Sequence, residues 1–562
     1  MGQKSSVKKI GNMNSKSAVR YLEILKRFFV YIGLLSLLGI LVSLLGVFFA
    51  LVSKRVIDVA TGQVAGIVFK EITALVLLAS FQLFLQVVTS KLYVVSAGRI
   101  EIYIKNKFFS ELLQKNAVDL EKYKTGDLLN LLNADVSVVV SAVVDIVPTA
   151  IGLSVRLALS VIALFYLDKS LAILLIICLP VILLISGVFR KRLKLYHKDY
   201  LKCEGSLRSF MIEAFSSIYV IKSFIKERFF SARLRDYQEK SYKMRMKKND
   251  FSILTSTLFF AMVTLGYYIA LGWGAYRISA GVMTFGTLTA VLELIGQIDS
   301  PIQSLSSLVP QWFSASASLE RLAELENLEN DGTDEAPSEK SLDWTRIDFS
   351  CVSFRYEEIS ILNGFSASVP RGSVVALTGE SGVGKTTVFK LLLGFLKANS
   401  GEITLVKEDG TKYFVNSGTR NMFAYVPQVN LLMSGTVAQN IAFGNLVDYE
   451  KLEKCAKLAE LDGVVQSLPR GFETELGENG IGLSEGEGQR IAIARALYAD
   501  KEILLMDEGT SALDDTTERK ILRNIKELGK TCIMISHRDS VLDVSDMTID
   551  FGRKKRDYCS EI

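Results

Sequence analysis

Long apolar runs crowd into the first 310 positions, and they constrain this chain more than anything else in it. A bilayer core needs about 20 mostly apolar residues per spanning helix. With no water there, every backbone polar group must be satisfied within the segment, so such runs read as helices. The spacing predicts spans at residues 28–52, 72–95, 138–166, 171–188 and 253–273. A sixth, at 282–309, carries Glu293, Gln297 and Asp299 and is expected to break at Pro301. Six spans put both termini on one side of the membrane. Residues 17–29 mix basic and apolar positions at helical spacing, which suits an interfacial approach to the first span.

Charge fixes the orientation. The stretch between the fourth and fifth spans carries Arg190, Lys191, Arg192, Lys194, Lys198 and Lys202, then Lys243, Arg245, Lys247 and Lys248. The opposite loops are short. Basic residues at span ends mark the cytoplasmic face, so the long polar stretches and both termini are expected there, in the cytoplasmic membrane. Within these stretches apolar residues recur at three and four, predicting helices over 126–136 and 218–224. Lys4, Lys8, Lys9 and Lys16 precede the first span without a small-residue cleavage site, which fits a retained helix rather than a signal peptide. A start of Met1-Gly2-x-x-x-Ser6 matches a myristoylation pattern, but a chain that spans the bilayer needs no lipid anchor.

The net charge of +5 is too modest to imply nucleic acid, and two histidines exclude a histidine-rich metal site. Six cysteines lie scattered without metal-like spacing, so free thiols in a reducing compartment are expected. At 562 residues, and roughly 150 per domain, the chain is too long for one core and three or four units are expected. The composition divides the chain into a membrane domain over 1–325, an acidic, turn-rich linker over 326–343 and a domain over 344–562. In the last, short β-branched runs alternate with helical patterns, which predicts an α/β fold with a largely parallel sheet.

That domain carries the chemistry. Gly379-Glu-Ser-Gly-Val-Gly384-Lys385-Thr386 follows the strand-like Val374-Val-Ala-Leu-Thr378 and opens a helical run. Glycines in this context let backbone N–H groups wrap phosphates at a helix N-terminus. Lys385 is then placed for the β- and γ-phosphates and the Thr386 hydroxyl for Mg²⁺. Further on, Ile503-Leu-Leu-Met-Asp507-Glu508 ends an apolar strand in two carboxylates, at the sheet edge where α/β proteins bind ligands. Asp507 suits the Mg²⁺ shell, and Glu508 suits orienting or deprotonating the attacking water.

With these motifs in place the chain resembles the ATP-binding cassette transporters in their exporter-type half-transporter form, over nearly its whole length. The resemblance implies an all-α six-helix transmembrane domain followed by an α/β P-loop NTPase domain, with ATP and Mg²⁺ as cofactors. It assigns Gly379, Ser381, Gly382, Gly384, Lys385, Thr386 and Thr387 to the phosphate cradle. Tyr356 resembles the aromatic that stacks on adenine, and Gln428, in Ala424-Tyr-Val-Pro-Gln, the Q-loop residue that reaches metal and attacking water. Ser511-Ala-Leu-Asp514 resembles the D-loop, whose Asp514 is counted with the nucleotide contacts, and His537 the switch histidine. Ser484 and Gly486 occupy the signature positions that contact the γ-phosphate from the other subunit. The segments beginning at Lys124 and Ile218 resemble the two cytoplasmic coupling regions, and residues 315–325 the exit from the last span. A dimer, of two copies or of two different halves, is therefore implied.

Two departures from the family pattern stand out. The signature reads Leu483-Ser-Glu485-Gly-Glu487, with two acids where the family has Gly and Gln. At about 7 Å and an effective dielectric near 20, a carboxylate facing phosphate costs roughly 2 kcal/mol. Against that, Ser484 and Glu487 have the spacing of a capping box, and acids favour a helix N-terminus. The tail after His537 is short, at 25 residues, which is expected to weaken a dimer interface. In the membrane half, Asp145 and Arg156 sit eleven residues apart, close to three turns, and Glu293 and Gln297 share a face. Ionisable groups in a span line a pathway or tie helices together. As a pathway, both signs of charge suit a peptide or an amphipathic small molecule. No peptidase-like segment precedes the spans, so leader cleavage is not expected. Export driven by ATP is the leading expectation, with a heterodimer subunit and an ATP-regulated, non-transporting regulator as alternatives.

Overall fold

A computed structural model describes residues 23–551 apart from 25, 333–342, 381, 429–431, 478–481 and 537. The chain forms two compact units: residues up to 109 together with 126–326, and residues 110–125 together with 327 onward.

The first unit is built on six long helices. They are α1 (Phe29–Ala60), α2 (Val68–Leu113), α3 (Val136–Leu167), α4 (Lys169–Ser216), α5 (Glu227–Ser279) and α6 (Phe285–Glu326). Among the described residues, four helices are long and apolar enough to cross a membrane: α1, α2, α5 and the continuous Thr125–Leu167 that contains α3. The expected fourth and sixth spans fall in α4 and α6, where the side chains of 174–188 and 298–307 lie outside the described residues. Pro301 does not break α6, and Pro148 sits inside α3. Neighbouring helices and local adjustment make an internal proline tolerable in a spanning helix. The helix predicted over 126–136 is α-helical at Thr125–Asn130 and then a π-turn at Leu131–Asp135, and the one over 218–224 is Ile218–Ser223.

Small residues bring these helices together, as expected where lipid supplies no hydrophobic drive between them. A Cβ on Gly39 of α1 would stand 3.7 Å from Gly152 Cα of α3. Beside that crossing the Ser43 hydroxyl donates to the Gly152 carbonyl at 3.0 Å. Between α1 and α6, Gln297 Nε2 donates to the Gly46 carbonyl at 2.8 Å, and the Gly286 N–H donates to the buried Asp58 carboxylate at 3.0 Å. Asp135, at the π-turn, accepts from the Ser318 hydroxyl at 2.7 Å and pairs with Arg321.

In the second unit, continuous apolar runs make the inner strands of a five-stranded parallel sheet, buried on both faces, while its edge strand Met547–Asp550 is largely exposed. The strands are β1 (Trp344–Tyr356), β2 (Ile359–Pro370), β3 (Val374–Thr378), β4 (Ser400–Lys407), β5 (Lys412–Phe414), β6 (Phe423–Val426), β7 (Gly435–Thr436), β8 (Glu475–Leu476), β9 (Ile503–Asp507), β10 (Thr531–Ile535) and β11 (Met547–Asp550). The parallel sheet has the order β11-β3-β10-β9-β6, and an antiparallel sheet has the order β2-β1-β4-β5. The helices of this unit include α7 (Lys385–Leu392), α8 (Val437–Ala442), α9 (Tyr449–Leu458) and α10 (Glu485–Tyr498), with α8 and α9 packed against α10. A fifth, α11 (Asp515–Glu527), follows β9.

Part of the expected linker has definite partners. Asn330 bridges Lys115, whose ammonium donates to Leu328 O and Asn330 Oδ1, both at 2.8 Å. Asp331 is held by both arms of Arg420, whose Nε donates to Leu393 O at 2.7 Å. Residues 333–342 of the linker lie outside the described residues. The expectation of six free thiols is corrected at Cys351, which is disulfide-bonded, while Cys203, Cys455 and Cys532 are free. The absence of metal-like spacing said nothing about disulfide pairing.

Candidate active site

Strand β3 ends at Thr378, and the chain wraps through Gly379, Gly382 and Gly384 before α7 begins at Lys385. These glycines have φ of 136°, 84° and 109°, in the left-handed region that side chains rarely adopt. At Gly384 space also decides, since a Cβ would stand 2.6 Å from Ile361 Cγ2. Lys385 is buried, and its ammonium donates to Gly379 O and, at 3.2 Å, to Glu380 O. Desolvation lowers its pKa, opposed by the carboxylates of Glu508 and Asp507. Thr387 is buried behind it, and Ser381 lies outside the described residues.

Parallel pairing of β10 with β3 and β9 brings the ends of these strands to one edge. There Asp507 is almost wholly buried and carries a carboxylate that burial pushes above its usual range. The Thr386 hydroxyl lies 3.4 Å from Asp507 Oδ1, and the Tyr425 hydroxyl 3.4 Å from Oδ2. Burial and the nearby Asp507 push the Tyr425 phenol up, so it stays a neutral donor. Gln428 Nε2 donates to Glu508 Oε2 at 2.8 Å, which joins the two residues expected to handle the attacking water. Glu508 has φ of 49°, a conformation that costs a non-glycine residue about 1–3 kcal/mol and is characteristic of functional sites.

Tyr356 ends β1, over a third exposed, with its ring edge-on to Phe354 at 4.9 Å. The signature turn forms the capping box that its spacing predicts: the Glu487 N–H donates to Ser484 Oγ at 3.3 Å, and the Ser484 N–H to Glu487 Oε2 at 2.7 Å. Gly486 packs so closely on the D-loop that a Cβ would stand 2.9 Å from Ala512 O. The Asp514 carboxylate caps α11, accepting from Thr517 N at 3.0 Å and from the Thr516 hydroxyl, which holds its pKa well below the usual range. His537 lies outside the described residues.

Three residues that touch this edge carry no sequence signal of their own: Tyr425, Gln489 and Arg538. Tyr425 stands inside the segment Ala424–Gln428 and Arg538 beside His537, so position near a motif was the one available hint. The set as a whole can seat phosphates on backbone N–H groups, neutralise them with Lys385 and present a carboxylate to water.

Comparison with known proteins shows the family of the chain. Residues 32–302 match the family described as the ABC transporter transmembrane region, and residues 362–511 the family described as ABC transporter. A putative export ATP-binding/permease protein from Rickettsia bellii is 30% identical over 469 residues, covering 81% of this chain and 80% of that one. An ATP-dependent lipid A-core flippase from Vibrio vulnificus is 28% identical over 467 residues, covering 81% and 79%. A probable multidrug resistance ABC transporter ATP-binding/permease protein from Bacillus subtilis is 30% identical over 466 residues, covering 81% and 78%. Among solved structures, a bacterial Atm1-family ABC exporter with ATP bound matches with a TM-score of 0.76 at 25% identity, over 94% of both chains. The chain is a membrane protein of the ABC transporter family, built as an exporter half-transporter. Its second unit binds ATP, and hydrolysis there is coupled to transport.

Proposed function

We propose that the chain is one half of a dimeric exporter that moves an amphipathic small molecule or peptide out across the cytoplasmic membrane. Both termini and the ATP-binding unit lie on the cytoplasmic side, as the basic stretches direct. Substrate class rests on Arg156. It stands on α3 eleven residues before the helix end, roughly 16 Å along the axis, and has no charged partner among the described residues. Of the other described polar residues, Asp145 accepts from the Tyr93 hydroxyl at 3.3 Å and Gln297 is spent on Gly46. A guanidinium at membrane depth with no charged partner among the described residues favours a cargo with an anionic group on an apolar body. The names of the relatives, lipid A-core flippase and multidrug resistance transporter, point to amphipathic cargo as well.

For the chemistry, Lys385 and the backbone of the P-loop hold the phosphates. The donor set suits Mg²⁺ brought by ATP: oxygen ligands only, from Thr386, Asp507 and Gln428. Among the described residues no cluster of three His, Cys, Asp or Glu could hold a metal without the nucleotide. Mg²⁺ would neutralise phosphate charge as it develops. Glu508, oriented by Gln428, takes the proton of the attacking water, and His537 is assigned to the same reaction by its resemblance to the switch histidine. Ser484 and Gly486 of a second subunit, a copy or a different half, close the site.

The test is ATP hydrolysis by the purified chain in liposomes against anionic amphiphiles, cationic drugs and peptides. Anionic amphiphiles are expected to stimulate it, with the stimulation lost in Arg156→Ala and kept in Arg156→Lys. Undiminished stimulation in Arg156→Ala would refute this substrate reading.

A further inference from the structure

Glu508 combines two features that do not persist unaided. Its backbone is held at a φ of 49°, and its carboxylate must aim at Gln428 at 2.8 Å. A non-glycine residue keeps such a conformation only where its surroundings over-determine it. Part of that constraint is β10, since the Glu508 N–H donates to Ile535 O at 3.1 Å. The rest comes from the turns that start on Glu508 itself. Ser511 N donates to Glu508 O at 3.0 Å and Leu513 N to Thr510 O at 3.1 Å.

Two side chains, carried on different elements, grip those turns. From α10, the fully buried Gln489 accepts from Ala512 N at 2.9 Å and donates to Ser511 Oγ at 3.0 Å. From the chain beyond β10, the two arms of Arg538 donate to Leu513 O and Ser511 O, each at 2.7 Å. Arg538 is itself anchored, 3.4 Å from the carboxylate of the fully buried Glu518, to which the Ser540 hydroxyl also donates. We infer that Arg538 and Gln489 are positioning residues for Glu508, clamping the 508–513 turns so that its carboxylate stays on the water-activating side of the site. A planar guanidinium spans two carbonyls as an ammonium cannot, so lysine is a partial substitute. Because Gln489 lies on the helix that the signature turn opens, and Arg538 follows the switch histidine, the clamp also ties those two motifs to the general base.

The proposal rests on the reading of this site as an ATPase, and the experiment separates the two. Turnover and fluorescent ATP-analogue binding are measured for the full chain in lipid as wild type, Arg538→Ala and Arg538→Lys, with and without millimolar guanidinium. The expected result is a kcat roughly 30-fold lower in Arg538→Ala, with KM for ATP and analogue binding changed less than about threefold. Guanidinium should restore several-fold of that loss in Arg538→Ala alone, and Arg538→Lys should fall between. Wild-type turnover with an unaffected kcat in Arg538→Ala would overturn the clamp alone. So would an equal loss of binding and turnover without guanidinium rescue, because that marks general collapse. A wild-type chain that binds ATP without hydrolysing it would overturn the ATPase reading and the clamp with it.

Discussion

Glu487 stands where the family has glutamine, and its carboxylate is engaged by the Ser484 N–H at 2.7 Å. Two effects compete: roughly 2 kcal/mol of repulsion if the acid faces phosphate, and the satisfaction of a backbone donor at a helix start. The capping geometry turns the carboxylate to the backbone, so the second prevails. Glu487→Gln keeps the acceptor and is expected to change ATP turnover of the purified chain by less than about tenfold, or about 1.4 kcal/mol of barrier. Glu487→Ala, which loses the acceptor, should cost more than Glu487→Gln. A rise far beyond tenfold with Gln would mean that the acid impairs the signature. This cap was legible because its partners are three residues apart. Tyr425, Gln489 and Arg538 were not, since each acts on a partner between 22 and 82 residues away along the chain. Only the fold brings them together.

Among the elements, the P-loop and the carboxylate-ended strand were the most legible, because strand, loop and helix follow one another without interruption. Helix pairing was not. Gln297 and Gly286 read as a polar pathway residue and an unremarked glycine, and both hold α6 to α1. At Gly286 a Cβ would collide with the Lys54 carbonyl and stand 2.5 Å from Asp58 Oδ1, both on the facing helix. Gly286→Ala is therefore expected to destabilise the first unit by about 1–3 kcal/mol, as overpacking does, seen as a lower Tm in detergent. Gly296→Ala, on the same helix with nothing within 4 Å of its Cβ, should leave Tm nearly unchanged. Equal Tm values for the two variants would contradict this pairing of α1 and α6. The predicted break at Pro301 failed because propensity in water does not carry over to a helix packed among neighbours in lipid.

For the molecule as a whole, hydropathy alone separates a helical unit with spans from an α/β unit with an ATP site. Segment 110–125 shows where that division was too simple. Composition counts it in the membrane domain over 1–325, yet it clusters with the ATP-binding unit, where Asn116 Nδ2 donates to Phe395 O at 3.1 Å and Glu121 pairs with Lys390 at 2.8 Å. Lys390 lies on α7, the helix that begins at the P-loop lysine. Apolar length marks four of the six expected spans among the described residues, but nothing in it assigns a polar stretch to one unit or another. If ATP cleaved at Glu508 drives transport as proposed, uptake of a fluorescent anionic amphiphile into inside-out vesicles depends on that carboxylate. ATP-dependent uptake by the wild-type chain, lost in Glu508→Gln while that variant still binds ATP, is the predicted result. Uptake that is indifferent to ATP, or that survives Glu508→Gln undiminished, would contradict the account.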